Sequence, residues 1–305
     1  MKKNFFPISF FLMLFYLCSC NNSNIAKTLS EAGTEPEIKS IFINGDSIHY
    51  IDEGKGDPVV FVHGALGDYR TWRAQMDTFA KTYRVIAYSR RYAWPNQQTI
   101  IDSSKHSFES HANDLAEFLK KLNVEPVHLV GHSSGAYIAL LTAMEHPELV
   151  RSLTLGEPPV MSLLPPPSPN DPNPFAKAVE AFANNEQEKA VNYFLGVVTG
   201  DSSYFSKLSK YDRELMMMNT QEAKANITIQ NIMPLTTCND LKRINCPVLL
   251  LGGDKSPSFL PLIINKMETC LSNKEKATLL NTSHGLEYEN PSEFNRIVLG
   301  FIDKH

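Results

Sequence analysis

Short runs of apolar residues recur along the chain from Ile38 onward, at lengths typical of β-strands. Two of them, 41–43 and 48–51, flank Asn44-Gly45, a dipeptide that favours a tight hairpin turn. The later runs are continuous rather than alternating, as expected for strands buried on both faces. These predicted strands are residues 58–62, 84–88, 127–130, 150–155, 247–251 and 277–280.

Stretches with helical periodicity lie between these strands. Residues 108–122 place Ala112, Leu115, Leu119 and Leu122 on one face. Residues 135–145 form a second predicted helix, which the His146-Pro147 step should end. Strand and helix alternating in this way predict an α/β fold, with a mostly parallel sheet covered by helices on both faces.

The alternation breaks between residues 158 and 237. Six prolines at positions 165–167, 169, 172 and 174 predict a stiff, extended connector, and residues 175–233 favour helix without a convincing strand. We interpret 158–237 as a helical cap over the carboxyl ends of the strands, inserted between core halves at 38–157 and 238–305. An exposed insertion without functional contacts is the alternative.

The amino-terminal residues differ from the rest. Lys2 and Lys3 precede an apolar run over 5–17, the layout of a signal sequence and too short for a comfortable transmembrane span. The run ends in Leu17-Cys18-Ser19-Cys20, which resembles a bacterial lipobox with Cys20 as the lipidated residue. We therefore expect a signal peptide over 1–20, a flexible tether over 21–37 and a lipid-anchored protein of the bacterial cell envelope. A plain secretory signal is the alternative.

Composition and charge narrow the class of protein. With 43% apolar and 20% charged residues the chain is of the globular kind. A net charge of −4 and the lack of a basic cluster after the first residues argue against a nucleic-acid partner. Beyond residue 20, Cys238, Cys246 and Cys270 show no metal-like spacing. We expect buried or unpaired thiols there, although a pair is possible, and no metal site.

A G-x-S-x-G motif, Gly131-His132-Ser133-Ser134-Gly135, follows one predicted strand and opens a helix. This setting is more specific than the pentapeptide alone, because the small residues allow a sharp turn that exposes the serine oxygen. The helix amino end also supplies free N–H groups. We predict Ser133 as a nucleophile; a purely structural turn is the alternative.

A serine hydroxyl needs a base to accept its proton. Among nine histidines, His284 in Thr282-Ser283-His284-Gly285 is best placed, because it follows the last predicted strand in the chain order Ser, acid, His. His63 and His132 belong to other loops. We therefore predict His284 as the base.

Together, the His63-Gly64 pair after a strand, the G-x-S-x-G turn and the Ser-His-Gly after the final strand resemble the α/β-hydrolase superfamily, from about residue 38 to the end. The resemblance is to capped members with a serine nucleophile, of the esterase and haloperoxidase-like branch. It implies that the backbone N–H groups of Ala65 and Ser134 form an oxyanion hole. It also implies that no cofactor is needed.

The acid of the triad is left open between two carboxylates. The family commonly places it after the strand predicted at 247–251, but its usual spacing from Gly253 falls on Ser256 and leaves Asp254 two residues early. Glu157 directly follows the preceding strand. Certain haloalkane dehalogenases of the family are similar in that their acid comes from this earlier strand end. A triad is defined by position in space rather than by order in sequence. We favour Glu157 over Asp254, and expect the other carboxylate to cap a loop.

The expected activity is hydrolysis of a small, apolar ester through an acyl-enzyme. An aspartate at the position of Ser133 would indicate an epoxide hydrolase or dehalogenase, so the serine argues against both. Carbon–carbon bond hydrolases, lactonases and cofactor-free perhydrolases share the serine and stay open as alternatives. A non-catalytic binding lipoprotein is a further alternative, which the presence of both Ser133 and His284 disfavours.

Overall fold

Eight strands form one sheet in the computed structural model, which describes residues 36–96, 99–100, 106–168 and 170–305. In chain order they are β1 (Lys39–Ile43), β2 (Asp46–Gly54), β3 (Pro58–Val62), β4 (Arg84–Tyr88), β5 (Val127–His132), β6 (Val150–Gly156), β7 (Val248–Gly253) and β8 (Lys274–Leu279). The spatial order is β1-β2-β4-β3-β5-β6-β7-β8. From β4 to β8 all neighbours are parallel, whereas β1 and β2 pair antiparallel to their neighbours.

The predicted hairpin joins β1 and β2, with Ile43 opposite Asp46. Asn44 and Gly45 between them have φ of 47° and 91°, values that asparagine and glycine tolerate best. The strand predicted at 277–280 begins three residues earlier, at Lys274. Its first residues are charged and exposed, as suits the edge of a sheet, so they carry no apolar signal.

Twelve α-helices occur in the described residues. They are α1 (Arg73–Phe79), α2 (Phe108–Leu122), α3 (Ser134–Glu145), α4 (Ala176–Ala183), α5 (Gln187–Thr199), α6 (Tyr204–Lys207), α7 (Lys210–Met218), α8 (Thr220–Thr228), α9 (Cys238–Leu241), α10 (Phe259–Cys270), α11 (Leu286–Glu289) and α12 (Pro291–Ile302). The predicted helices at 108–122 and 135–145 are thus confirmed as α2 and α3, the latter beginning one residue earlier.

Alternate side chains of the central strands enter two separate cores. In β3, Val60 and Val62 pack with helices α2 and α3, whereas Val59 and Phe61 pack with α1 and α12. Both faces of the sheet are therefore covered, which explains why the sequence of these strands is continuously apolar. The α/β fold predicted from the alternation is confirmed.

Helices α4 to α8 occupy the stretch where the alternation breaks, and its described part, which omits residue 169, contains no strand. Val191 and Leu195 of α5 pack against Ala65 and Leu66, in the loop after β3. We call α4 to α8 the inserted helices. They contact the loop at the carboxyl end of β3. The exact domain boundaries at 158 and 237 stay predictions.

The cysteines depart from expectation. Cys238 and Cys270 form a disulfide, with 5.1 Å between their Cα atoms, which corrects the expectation of unpaired thiols. The pairing escaped prediction because it depends on α9 packing against α10, across 32 residues of sequence. Cys246 is a free thiol, and burial raises its pKa to about 11.

The predicted signal peptide, Cys20 and the tether as far as residue 35 lie outside the described residues. Residues Glu37–His305 form one compact unit. In the described part of the chain, no helix is both long and apolar enough to cross a bilayer.

Candidate active site

Ser133 stands on a sharp turn between β5 and α3. Its φ of 53° and ψ of −125° are unusual for a residue with a side chain, and mark a backbone held in place by its surroundings. The Ser133 N–H donates to the Gly156 carbonyl at 2.7 Å, which ties the turn to the end of β6. The G-x-S-x-G motif therefore lies in the strand–turn–helix context that its sequence predicts.

His284 and Glu157 complete a chain of contacts with this serine. His284 Nε2 lies 3.0 Å from Ser133 Oγ, and His284 Nδ1 lies 2.7 Å from Glu157 Oε2. All three side chains come from loops at the carboxyl ends of parallel strands, where such loops converge. The structure thus brings together the predicted nucleophile, the predicted base and the favoured acid.

Glu157 is held by more than the histidine. It directly follows β6, is 1% exposed and has φ of 46°. Its Oε1 accepts from the Gly253 N–H at 2.9 Å, so each carboxylate oxygen has a partner. A carboxylate only accepts hydrogen bonds, so this arrangement favours the His284 tautomer that carries its proton on Nδ1 and leaves Nε2 to accept from Ser133.

Asp254 lies elsewhere, in an exposed turn after β7. Its Oδ1 accepts from the Thr282 N–H at 3.1 Å, two residues before His284. Hydrogen bonds from the backbone of Asn281 and Thr282 hold the pKa of this carboxyl below its ordinary value. Asp254 therefore caps the loop that carries His284 and does not contact the histidine ring.

The loop after β3 carries His63, Gly64 and Ala65, and the backbone N–H of Ala65 is one of the two predicted oxyanion donors. The buried His63 accepts from the Arg90 N–H through Nε2 at 3.0 Å, so Nδ1 bears the proton and donates to Gly64 O at 2.8 Å. Burial and the charge of Arg90 hold the pKa of His63 well below its ordinary value, so the ring is neutral. Ala65 and Ser134 line one cavity together with Ser133 and His284.

Sequence reasoning passed over a second histidine–glutamate pair. His132 Nε2 donates to the His284 carbonyl at 2.7 Å, and the two rings lie 4.7 Å apart. His132 Nδ1 is 2.9 Å from Glu287 Oε1, an ion-pair distance without good hydrogen-bond alignment. Burial opposes the charged ring, but Glu287, Glu157 and the His284 carbonyl together outweigh it and raise the pKa of His132. His132 occupies the first x position of the G-x-S-x-G motif, where any residue type is allowed, so the sequence gave no signal of this contact.

Two cavities adjoin Ser133. The larger, about 490 Å³, is walled mainly by apolar side chains from the inserted helices, the segments that flank them and α10, among them Phe175, Phe194, Val198, Ile227, Met233 and Phe259. The smaller, about 60 Å³, lies beside Gly64 and Leu66 and reaches Tyr204 and Glu287. Among the described residues, no group of three or more His, Cys, Asp or Glu side chains is placed to hold a metal ion.

Comparison with known proteins bears on the family and the fold. A family model described as the alpha/beta hydrolase fold matches residues 57–291. An uncharacterised hydrolase, YraK of Bacillus subtilis (strain 168), is 27% identical over 232 residues, covering 72% of this chain and 79% of that protein.

Two solved structures share the fold. Carboxylesterase CesB (YbfK) of Bacillus subtilis superposes with a TM-score of 0.71 at 19% identity, over 92% of this chain and 96% of that one. Est816, described as an N-acyl homoserine lactone degrading enzyme, gives a TM-score of 0.69 at 22% identity, over 86% and 100% of the two chains.

Proposed function

The chain belongs to the alpha/beta hydrolase fold family and is a hydrolase, and from that premise we propose that it cleaves small apolar esters with a Ser133–His284–Glu157 triad. The observation that carries the proposal is the continuous chain of contacts from Ser133 Oγ through His284 to Glu157, at the wall of an apolar cavity. A serine placed in this way has both the base and the space that acyl transfer needs.

In the proposed first step, Ser133 Oγ attacks the ester carbonyl carbon while His284 Nε2 takes its proton. The buried Glu157 carboxylate stabilises the imidazolium that forms and keeps the ring oriented. The N–H groups of Ala65 and Ser134 donate to the oxyanion, a contribution of about 3 kcal/mol per donor in enzymes of this kind. The imidazolium then protonates the alcohol as it leaves.

The second step releases the acyl group. Water enters, gives a proton to His284 Nε2 and attacks the acyl-enzyme carbonyl, through the same oxyanion contacts. Collapse of that intermediate returns the proton to Ser133 Oγ and frees the carboxylic acid. The reaction consumes one water and one ester, and leaves the protein unchanged.

The unequal volumes of the two cavities support an ester whose acyl and alcohol groups differ in size. The 490 Å³ cavity falls within the range of sites for small organic molecules, and its polar lining residues other than Asn226 are Ser133, Ser134 and His284, at the reacting end. The 60 Å³ cavity has room for a short substituent. We place a medium-length apolar chain in the larger cavity and the short group in the smaller one.

A fluorophosphonate probe tests the nucleophile. The folded protein should be labelled at Ser133, and Ser133→Ala should lose labelling and reduce kcat on the order of 10⁴-fold or more. Ser256→Ala is a matched control, because that serine lies outside the triad and should keep full labelling. Labelling that persists in Ser133→Ala, or its absence from the folded wild type, would refute the triad.

A panel of p-nitrophenyl esters tests the substrate class. From acetyl to octanoyl, kcat/KM should rise by up to about fourfold per methylene, because burying each CH₂ contributes about 0.8 kcal/mol. A long-chain N-acyl lactone belongs in the same panel. A preference for the lactone over every ester contradicts the ester assignment, whereas a flat profile contradicts the placement of the apolar chain in the larger cavity. Either outcome leaves the triad intact.

We also propose that Cys20 carries a lipid. The Cys238–Cys270 disulfide supports an oxidising, exported location, because such bonds rarely persist in the cytosol. In a bacterial host, Cys20→Ser should move the protein from the membrane fraction to the soluble one, while Cys18→Ser should stay with the membrane. Equal membrane association of the wild type and Cys20→Ser would rule out the anchor.

A further inference from the structure

Arg90 is a buried cation with no place in the proposed triad. It follows β4 by two residues and is 2% exposed. Its partner is Glu222 of α8, 3% exposed, which accepts from Arg90 Nε at 3.1 Å through Oε2 and also contacts Nη2. A buried charge is costly unless it is paired and hydrogen-bonded, so this pair fixes α8 to the loop after β4.

The same guanidinium reaches the loop that carries Ala65. Arg90 Nη1 donates to the His63 carbonyl, and Nη2 donates to the Gly64 carbonyl at 3.2 Å. Nη2 also lies 3.4 Å from Ser134 Oγ. One side chain therefore touches both segments that supply the proposed oxyanion donors.

The contact with Gly64 has a direct geometric consequence. The Gly64 carbonyl and the Ala65 N–H belong to one planar, trans peptide unit, so they point in opposite directions. Fixing the oxygen against Arg90 and His63 Nδ1 fixes the direction of the N–H on the other side. A cation on the carbonyl oxygen also polarises the peptide, which strengthens the N–H as a donor.

We propose that Arg90 is a positioning residue for the oxyanion hole, and that Glu222 holds it there from the inserted helices. This inference rests on the proposed serine-hydrolase function. It gives the inserted helices a second role besides walling the cavity: their placement sets the orientation of the Ala65 N–H. Loss of the pair should weaken stabilisation of the transition state more than it weakens substrate binding.

The test compares Arg90→Lys with Arg91→Lys. A lysine keeps the charge at position 90 but cannot span Glu222 and two carbonyls as the planar fork does. Arg91 is the matched control, since it is also buried and makes a two-point ion pair, with Asp114, but contacts neither oxyanion segment. Melting curves for each variant set an assay temperature at which all are folded.

Arg90→Lys should lower kcat about 10- to 100-fold with KM changed less than threefold, whereas Arg91→Lys should change kcat less than threefold. The inhibition constant of a trifluoromethyl ketone, which forms an oxyanion on Ser133, should rise in proportion to the fall in kcat/KM. Glu222→Gln should give a smaller loss of the same kind, about 3- to 10-fold, and serves as the second variant if Arg90→Lys does not fold.

Equal losses in the Arg90 and Arg91 variants, or a higher KM at unchanged kcat, would overturn the inference. These outcomes are separable from failure of the proposed function. If the wild type is labelled at Ser133 and hydrolyses esters, an unchanged kcat in Arg90→Lys refutes the positioning role alone. If the wild type shows neither property, the triad itself is refuted.

Discussion

Glu157 is the carboxylate in contact with His284 Nδ1. Its two carboxylate oxygens have different partners: Oε1 accepts from the Gly253 N–H, and Oε2 faces His284 Nδ1. Its φ is positive, and its side chain reaches the end of β7. An amide in its place would have one acceptor and one donor, and the Gly253 N–H would hold the acceptor.

We expect Glu157→Gln to lower kcat about 10³- to 10⁴-fold, because its NH₂ group would face His284 Nδ1 and drive the proton to Nε2. That tautomer cannot accept from Ser133. Asp254→Asn keeps an oxygen that can accept from the Thr282 N–H, so its kcat should stay within about threefold of the wild type. Steady-state kinetics of the two variants on one ester decide between the two carboxylates. A larger loss of kcat in Asp254→Asn than in Glu157→Gln would assign the acid role to Asp254.

At the scale of elements, the turn between β5 and α3 depends on close backbone approach. A Cβ added at Gly135 would overlap the backbone oxygens of Val62 and His63 at the end of β3. These are main-chain atoms in a central strand, so they cannot move aside at small cost. The helix can therefore begin next to Ser133 only because residue 135 has no side chain.

Gly135→Ala should lower the free energy of unfolding by about 1–3 kcal/mol, the usual cost of overpacking a core. It should also reduce kcat, because the loop that bears Ala65 must shift. Gly300→Ala in α12 is the control: a Cβ there meets no atom within 4 Å, so it should stabilise the helix by about 0.5–1 kcal/mol. Urea unfolding measures both, and equal stability of the two variants would contradict the packing argument.

At the scale of the whole molecule, the inserted helices are held to the core at several separate points. Glu222 pairs with Arg90, and Arg73 of α1 pairs with Asp212 of α7 at 2.7 Å. Where the chain returns to the core, the disulfide joins α9 to α10. The return point is thus covalently fixed next to a helix that lines the larger cavity.

Cys238→Ser should reduce the free energy of unfolding by about 3 kcal/mol, because the disulfide closes a loop across 32 residues and restricts the unfolded chain. Cys246→Ser, which removes the free thiol, should change it by less than about 1 kcal/mol. Denaturation with and without a reductant checks both. If reductant lowers the stability of Cys238→Ser as much as that of the wild type, the pairing is wrong.

The sequence by itself determined the elements and their order. Apolar runs, the Asn44-Gly45 turn and the helical period of residues 108–122 are local signals, and each indicates a local structure. Ser133 and His284 were also identifiable, because the motif around each one specifies its place at a strand end. The structure brings the side chains of Ser133 and His284 into contact.

Only the tertiary structure decided which distant groups meet. The choice of Glu157 over Asp254 as the partner of His284, the Cys238–Cys270 bond and the Arg90–Glu222 pair join residues 127, 32 and 132 positions apart. A sequence pattern reports periodicity only among residues that are close together along the chain. It carries no record of side-chain direction at a strand end, and packing of helices against the sheet supplies that direction.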